Sequence, residues 1–213
     1  MNLYYILEIV STFSVIIPIA VSILRFKKLS AALIIFAFFL FVSLLFELFN
    51  NYLAEAGINN LWLMNIYTLV EYFFLCAVFF LAMKIKKLRW IVLVLTVGFT
   101  FFISYRLSLP GNGEEFATWS MAGEALLMLL VVCLYFLGIY LQTKVFVLTR
   151  YPMFWISAGV MIYFTPNFLL FVLSNYVLKQ PGTDLRADWS IHSVSNLLAN
   201  ACYTVGLWLS RMG

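Results

Sequence analysis

Charged residues are scarce in this chain. Only 10% of its 213 residues are Asp, Glu, Lys or Arg, whereas 65% are hydrophobic. In a typical soluble domain roughly a quarter of the residues are charged. Such a low share excludes an ordinary soluble domain and indicates a chain whose surface faces lipid.

The residues that most catalytic and cofactor sites need are also few. The single histidine excludes a histidine-rich zinc site. None of the long apolar stretches holds a lysine that could carry retinal, and no glycine-rich phosphate loop, GxSxG turn or HExxH pair occurs. Cys76, Cys133 and Cys202 are odd in number and lie within apolar stretches, so they predict no disulfide framework. We therefore predict no cofactor and no metal site.

Long apolar runs fill most of the chain. Seven stretches are each long enough to cross a bilayer core of ~30 Å, which takes about 20 helical residues. The runs are continuous, as in AALIIFAFFLFVSLLF, and in hydrocarbon they form helices because the backbone must satisfy its own hydrogen bonds. The sequence predicts an all-α polytopic membrane protein, a single seven-helix bundle over residues 1–213. The predicted spans are 3–24, 30–53, 60–82, 88–106, 117–141, 151–178 and 187–210.

Basic residues predict the orientation of the bundle. Ten of the thirteen Lys and Arg residues follow the first, third and fifth spans or lie in the C-terminal tail. Because basic loops stay in the cytoplasm, the N-terminus is predicted outside and the C-terminus in the cytoplasm. We expect a multi-pass protein of the bacterial inner membrane, in contact with anionic lipid and not with nucleic acid. The ten residues are Arg25, Lys27, Lys28, Lys84, Lys86, Lys87, Arg89, Lys144, Arg150 and Arg211.

Polar residues inside the predicted spans are the functional candidates. A charge at the bilayer centre costs roughly 2.5–3.5 kcal/mol, so such residues usually face a bundle interior or water. Ser43 and Tyr67 each precede a glutamate by four residues, which places each pair on one helix face. Most of these side chains fall in the outer half of the bundle, which predicts a polar cavity open to the outside and closed by apolar packing below. The predicted ligand-binding residues are Glu47, Glu71, Glu124, His192, Asn167, Asn196 and Tyr163.

A plainer interpretation of the same residues stays open. Asn, Ser and Tyr side chains often only join membrane helices, through hydrogen bonds worth ~0.6 kcal/mol each. Glu47 and Glu124 lie near enough to the predicted interface to be hydrated. Glu71 lies about eleven residues deep, near the midplane, where water does not reach easily. No Lys or Arg lies deep within a span, so His192 or an external cation is its available partner.

Three stretches carry a family resemblance: NIYTLVEYFFL at 65–75, FWISAGVMIYFTPNFLLF at 154–171 and WSIHSVSNLLANACYTVGLW at 189–208. They resemble a group of uncharacterised bacterial seven-helix proteins that are similar in layout to the seven-helix sensor regions of histidine kinases. The resemblance implies a sensory or signalling membrane module and assigns no catalytic residues. The sequence stops directly after the seventh predicted span, so an output domain is expected on a separate partner or on a part of the protein outside this sequence.

Four functions fit these observations. The leading one is a receptor or sensor that binds a small polar or cationic ligand from outside and signals to a cytoplasmic protein. That partner would dock at Lys84, Lys86, Lys87 and Lys144. The second is a small-solute transporter of 3+1+3 helices, suggested by the similar endings FELFNNYL and FVLSNYVL of two spans. The others are an intramembrane enzyme that acts on lipid with a Glu/His acid–base pair, and a helical subunit of a larger complex.

Overall fold

The described part of the chain is helical almost throughout. The computed structural model describes residues 3–108, 118–142, 147–177 and 185–210, and no strand occurs in these ranges. Short 3-10 turns occupy Phe26–Lys28 and Leu148–Arg150. The α-helices in these ranges are α1 (Leu3–Ser14), α2 (Ile16–Leu24), α3 (Ala31–Glu55), α4 (Leu61–Ala82), α5 (Lys86–Ser108), α6 (Thr118–Gln142), α7 (Pro152–Val177) and α8 (Leu185–Trp208).

Six segments of the described chain are long and apolar enough to cross a membrane. The prediction of an all-helical membrane protein is thereby confirmed. The segments match the first six predicted spans to within a few residues. Two of the predicted ends, residues 117 and 178, lie outside the described residues. The six are Tyr4–Leu24, Ala31–Glu55, Trp62–Ala82, Lys86–Arg106, Trp119–Gln142 and Pro152–Leu173.

The seventh predicted span, 187–210, corresponds to α8, which is not among these six segments. α8 is long enough to cross a bilayer, but its serine, asparagine and histidine residues make it less apolar than the others. It packs along α7 and also contacts α1 and α2. Ser193, Ser195 and Asn200 are buried as a result, so the polar side of α8 faces other helices.

The first predicted span is two helices. α1 ends at Ser14 and α2 begins at Ile16, with Val15 in a turn between them. Pro18 explains the break, because proline has no N–H to donate to the carbonyl of Ser14. Pro18 stands in the first turn of α2, where helices tolerate a missing donor. α1 and α2 together form the first apolar segment.

The helices form a closed ring with one helix outside it. α1 and α2 contact α3, α3 contacts α4, and α4 contacts α6. α6 contacts α7, α7 contacts α8, and α8 returns to α1 and α2. α5 lies outside the ring against α4 and α6, and its Trp90, Val94 and Phe101 are exposed, as lipid-facing side chains are.

Apolar side chains fill one half of the ring. Phe36, Phe79, Ile156 and Leu207 are completely buried there and belong to one continuous core. They lie toward the end of the bundle that carries the α2–α3, α4–α5 and α6–α7 connections. We call these four residues and their buried neighbours the apolar plug.

Two glycines let α7 and α8 pack closely. A Cβ at Gly159 of α7 would clash with the ring of Tyr203 on α8. A Cβ at Gly206 of α8 would lie 2.9 Å from the carbonyl oxygen of Pro152 on α7. Small residues allow membrane helices to approach in this way. The contact also sets the position of Tyr203, whose ring packs edge-on against Phe36 with 4.8 Å between centroids.

Replacing Gly159 by alanine is expected to destabilise the protein by about 1–3 kcal/mol, because the added methyl group overpacks the α7–α8 contact. Gly98→Ala in α5 is the matched control, since nothing lies within 4 Å of a Cβ at that position. The control should change the stability by less than ~1 kcal/mol. Thermal unfolding of both variants in one detergent measures the difference. Equal melting temperatures would contradict the close packing of α7 on α8.

Candidate functional site

A cavity of about 730 Å³ lies inside the helix ring. Its wall is built by α1, α3, α4, α6, α7 and α8, and combines acidic, amide and aromatic side chains. Pockets that bind small molecules measure ~300–1,000 Å³. The cavity therefore has the size of a small-molecule site.

The cavity occupies the half of the bundle opposite the apolar plug. Its wall comes from the N-terminal parts of the first span, α4, α6 and α8, and from the C-terminal parts of α3 and α7. Side-chain exposure falls along its depth. Tyr5 is 54% exposed and Glu8 is exposed, whereas Glu71 is 7% and Glu124 3% exposed. The mouth therefore lies near the start of α1, and two glutamates lie deep inside.

Four carboxylates line the cavity. They belong to Glu8 on α1, Glu47 on α3, Glu71 on α4 and Glu124 on α6. Among the described lining residues there is no Lys or Arg. Charged side chains within membrane domains normally pair with one another or face a water-filled space. The wall is thus acidic without a basic counterpart in the described part of the chain.

Hydrogen bonds between helices hold the acidic wall in place. The Thr12 hydroxyl donates to Oε1 of Glu47 at 2.6 Å and joins α1 to α3. The hydroxyl oxygens of Ser43 and Tyr67 lie 2.8 Å apart and join α3 to α4. Tyr67 is also a hydrogen-bonding neighbour of Glu71, one turn further along α4. These bonds restrict where the carboxylates of Glu47 and Glu71 point.

Glu124 is the most buried of the four glutamates. Its side chain is 3% exposed, and its Oε1 has no hydrogen-bond partner. Buried carboxylate oxygens nearly always accept a hydrogen bond, so this oxygen lacks a donor that its surroundings should supply. Glu71 lies close enough to interact with it electrostatically. A ligand group that donates a hydrogen bond or carries positive charge would satisfy Glu124 from the cavity.

His192 of α8 forms part of the wall beside α7. Asn167 donates its side-chain N–H to the carbonyl oxygen of Tyr163 at 2.7 Å, which determines how the Asn167 amide is turned. Its Oδ1 then lies 3.0 Å from Nδ1 of His192. Because an amide oxygen only accepts, Nδ1 carries the hydrogen of this bond. Tyr163 packs edge-on against the His192 ring, with 5.5 Å between centroids.

Two asparagines of α8 bind the first span. Asn196 donates to the Ser11 hydroxyl at 3.1 Å, and Asn200 donates to the Ser14 hydroxyl at 2.7 Å. Asn200 also donates to Oδ1 of Asn196 at 3.3 Å. The side-chain N–H and the oxygen of Asn196 therefore both bind protein groups. This is the helix-joining role that the plainer interpretation describes for such residues. These bonds lie next to the break at Val15 and hold α1 against α8.

Six of the seven predicted ligand-binding residues line the cavity. They are Glu47, Glu71, Glu124, His192, Asn196 and Tyr163. Asn167 is completely buried behind His192 and does not line it. Asn167 and Tyr163 lie one turn apart on α7, so spacing alone could not show which of them reaches the cavity. That these residues bind a ligand stays a prediction.

Glu8 and Thr12 line the cavity but were not among the predicted ligand-binding residues. Thr12 follows Glu8 by four residues, so both lie on one face of α1. That spacing is the same signal that pairs Ser43 with Glu47 on α3. Applied to α1, it would have included both residues, and Thr12 in fact donates to Glu47.

The described residues do not form a metal centre. They contain no group of three or more His, Cys, Asp or Glu side chains placed to bind one metal ion. Glu47, Glu71, Glu124 and His192 come from four different helices around the cavity. A ligand that contacts several of them has to be larger than a single ion.

Comparison with known proteins identifies no family for this chain. No protein-family model, curated protein or solved structure matches the chain. The resemblance to the sensor regions of histidine kinases therefore stays a prediction. The chemistry of the cavity is the basis for assigning a function.

A cysteine at a cavity position is expected to react with a water-soluble thiol reagent. In a background with Cys76, Cys133 and Cys202 replaced by alanine, Ser43→Cys should be modified at least about tenfold faster than Ser157→Cys, because reaction needs an accessible thiolate. Ser43 lines the cavity, whereas Ser157 is completely buried and does not. Mass spectrometry of the purified variants over time gives the two rates. Equally slow modification would mean that water does not enter the cavity.

Proposed function

We propose that this chain is a membrane receptor or sensor module that binds a small organic cation in the cavity. The observation that carries the proposal is the acidic wall. Glu8, Glu47, Glu71 and Glu124 line one cavity, and no Lys or Arg lines it among the described residues. Carboxylates withdrawn from water are costly unless positive charge compensates them. A cationic ligand supplies that charge.

The aromatic part of the wall favours an organic cation over a metal ion. Tyr4, Tyr5, Phe46, Tyr67 and Tyr163 line the cavity. Aromatic rings attract ammonium groups by about 0.5–2 kcal/mol each. The described acidic residues do not group as metal ligands, and the cavity of about 730 Å³ accommodates a molecule with several carbon atoms.

The proposal includes seven membrane-crossing segments, with the N-terminus outside the cell and the C-terminus in the cytoplasm. Arg25, which follows α2, stacks over Trp208 at the end of α8, 4.4 Å from the ring centroid. This contact supports an α8 that runs the length of the bundle and counts as the seventh segment. The basic α2–α3 and α4–α5 connections lie at the plug end, and basic loops stay in the cytoplasm. The cavity mouth then faces outside, across the bacterial inner membrane.

In a receptor, α7 and α8 would carry the signal between the two ends of the bundle. Tyr163 and His192 lie at the cavity, whereas Gly206 packs against Pro152 near the plug end. Because the two helices are closely packed along their length, a displacement at His192 is passed to their far ends. The same helices therefore contact the ligand site and reach the cytoplasmic side.

A separate cytoplasmic signalling protein remains part of the proposal. Lys84, Lys86 and Lys87 are exposed at the plug end and offer positive charge to an acidic partner surface. Lys144, which was predicted to join them, lies outside the described residues. The resemblance to sensor regions motivates this partner, and the exposed lysines are the surface on which it would dock.

A small-solute transporter is the second candidate, and the break in the first span favours it. Val15 lies at this break and lines the cavity. Interrupted helices beside a substrate site are typical of transporters. Transport would require the apolar plug to open, including the contact between Phe36 and Tyr203. Uptake of labelled choline, whose permanent charge keeps it from crossing lipid unaided, into proteoliposomes but not into protein-free liposomes would establish the transporter, and binding without uptake would favour the receptor.

Butylamine is expected to raise the melting temperature of the purified protein, whereas butanol and butyrate of equal chain length are not. Only the amine brings positive charge to the acidic wall, and a ligand that binds the folded state stabilises it. Glu71→Gln should weaken amine binding at least about tenfold. Isothermal titration measures the affinities.

The control is Glu55→Gln, which removes an exposed carboxylate at the end of α3 that does not line the cavity. This variant should bind butylamine as the wild type does. Choline and tetraethylammonium extend the panel to larger cations. If none of the three cations binds better than butanol and butyrate, the proposal is wrong.

A membrane-impermeant thiol reagent added to intact cells is expected to modify Ser43→Cys and to leave Lys84→Cys unmodified. Both variants carry alanine in place of the three native cysteines. Ser43 lines the cavity and Lys84 lies at the plug end, so the two report opposite sides of the membrane. In inverted vesicles Lys84→Cys should react. The reverse pattern would mean that the mouth of the cavity faces the cytoplasm.

A further inference from the structure

We infer that the cavity takes a ligand with two cationic groups, of the class of linear diamines, with one ammonium group at each of two pairs of glutamates. The inference rests on the proposed function and adds the charge and shape of the ligand. The observation behind it is the arrangement of the four glutamates around the helix ring. The neighbouring helices α1 and α3 supply one pair, and the neighbouring helices α4 and α6 supply the other.

Glu8 and Glu47 form the outer pair. Glu8 lies one turn before Thr12 on α1, and Thr12 donates to Glu47, so both acids lie where α1 and α3 face each other. Glu8 is exposed near the cavity mouth. Thr12 donates to one oxygen of Glu47, but two carboxylates together offer about eight acceptor positions. An ammonium group has three N–H donors and can bind both carboxylates at once. The outer pair is therefore a site for one positive charge.

Glu71 and Glu124 form the inner pair. They lie on the contacting helices α4 and α6 and are only 7% and 3% exposed, although both line the cavity. The Oε1 atom of Glu124 has no partner among the protein groups around it. A second ammonium group here would supply the missing donor and face both acids. This unsatisfied oxygen is a second, independent observation that indicates a ligand at the inner pair.

Repulsion within each pair favours one cation at each pair. Like charges held close together in a poorly solvating interior repel each other, and a cation between them offsets this repulsion by attraction to both. One monoamine relieves the repulsion in only one pair and leaves the other as it was. Two ammonium groups relieve it in both.

The wall between the two pairs suits a short hydrocarbon chain. Tyr67 of α4 precedes Glu71 by one turn, and its hydroxyl lies 2.8 Å from that of Ser43, which precedes Glu47 by one turn on α3. Tyr67 therefore joins the helix that carries Glu71 to the helix that carries Glu47. Its ring packs against Phe46, with 5.3 Å between centroids. Both rings line the cavity, and an alkyl chain that links two ammonium groups would pack against them.

Linking the two charges also makes binding tighter than binding two separate monoamines. Once one ammonium group is bound, the other is held near its site at a high effective concentration. The gain depends on chain length, because a chain that is too short cannot span the pairs. A series of diamines of increasing length therefore has a best member, and its length reports the distance between the pairs.

The experiment is isothermal titration of the purified full chain with diaminobutane, diaminopentane and diaminohexane, each compared with the monoamine of equal chain length. We expect at least one diamine to bind one per protein, at least about tenfold tighter than its monoamine. Glu47→Gln should reduce the affinity for that diamine to near the monoamine level. Glu55→Gln is the control and should change neither.

Glu47→Gln keeps an oxygen that can accept the hydrogen bond from Thr12, so its fold should be preserved. Thermal unfolding without ligand checks this, and Glu8→Gln at the exposed mouth is the second variant for the same pair. Monoamines that bind as tightly as every diamine would overturn the inference and leave the proposed function standing. Two monoamines bound per protein with the affinity of the best diamine would also overturn it. If neither class binds, the proposed function fails as well.

Discussion

Hydrocarbon does not solvate charge, and this constraint organises the whole bundle. Glu47, Glu71 and Glu124 each lie on a helix that is long enough to cross a bilayer, where a carboxylate near the centre costs roughly 2.5–3.5 kcal/mol on insertion scales. The helices that carry them turn their acidic faces toward one another and close into a ring. α5 has no acidic residue and is the helix that stays outside.

The same constraint explains how a helix as polar as α8 belongs to the bundle. The histidine and two asparagines of α8 each meet a partner on a neighbouring helix: Asn167 for His192, and Ser11 and Ser14 for the two asparagines. Gly159 removes the bulk that would keep α7 away. The low apolarity of α8 is thus tolerated because its neighbours, and not lipid, surround its polar side.

Two kinds of interaction divide the bundle along its length. On the cavity side, directional hydrogen bonds such as those of Glu47 and His192 join neighbouring helices and hold the wall in one arrangement. On the plug side, apolar packing closes the ring next to Tyr203 and Phe36. A pre-arranged polar wall suits selective binding, because the ligand does not have to reorganise it. The helices that cross both halves are the elements through which binding at one end can affect the other.

The sequence by itself determined the helical spans and the polar face of each, because hydropathy and the spacing of Ser43 before Glu47 are properties of neighbouring residues. It therefore identified six of the residues that line the cavity. Only the tertiary structure decided which helices adjoin, that Asn167 lies behind His192, and that four glutamates line one cavity. It also decided that α1 lies against α8 across most of the chain length. Helical periodicity says which residues share a face, but the order of helices around a ring depends on packing between segments far apart in sequence.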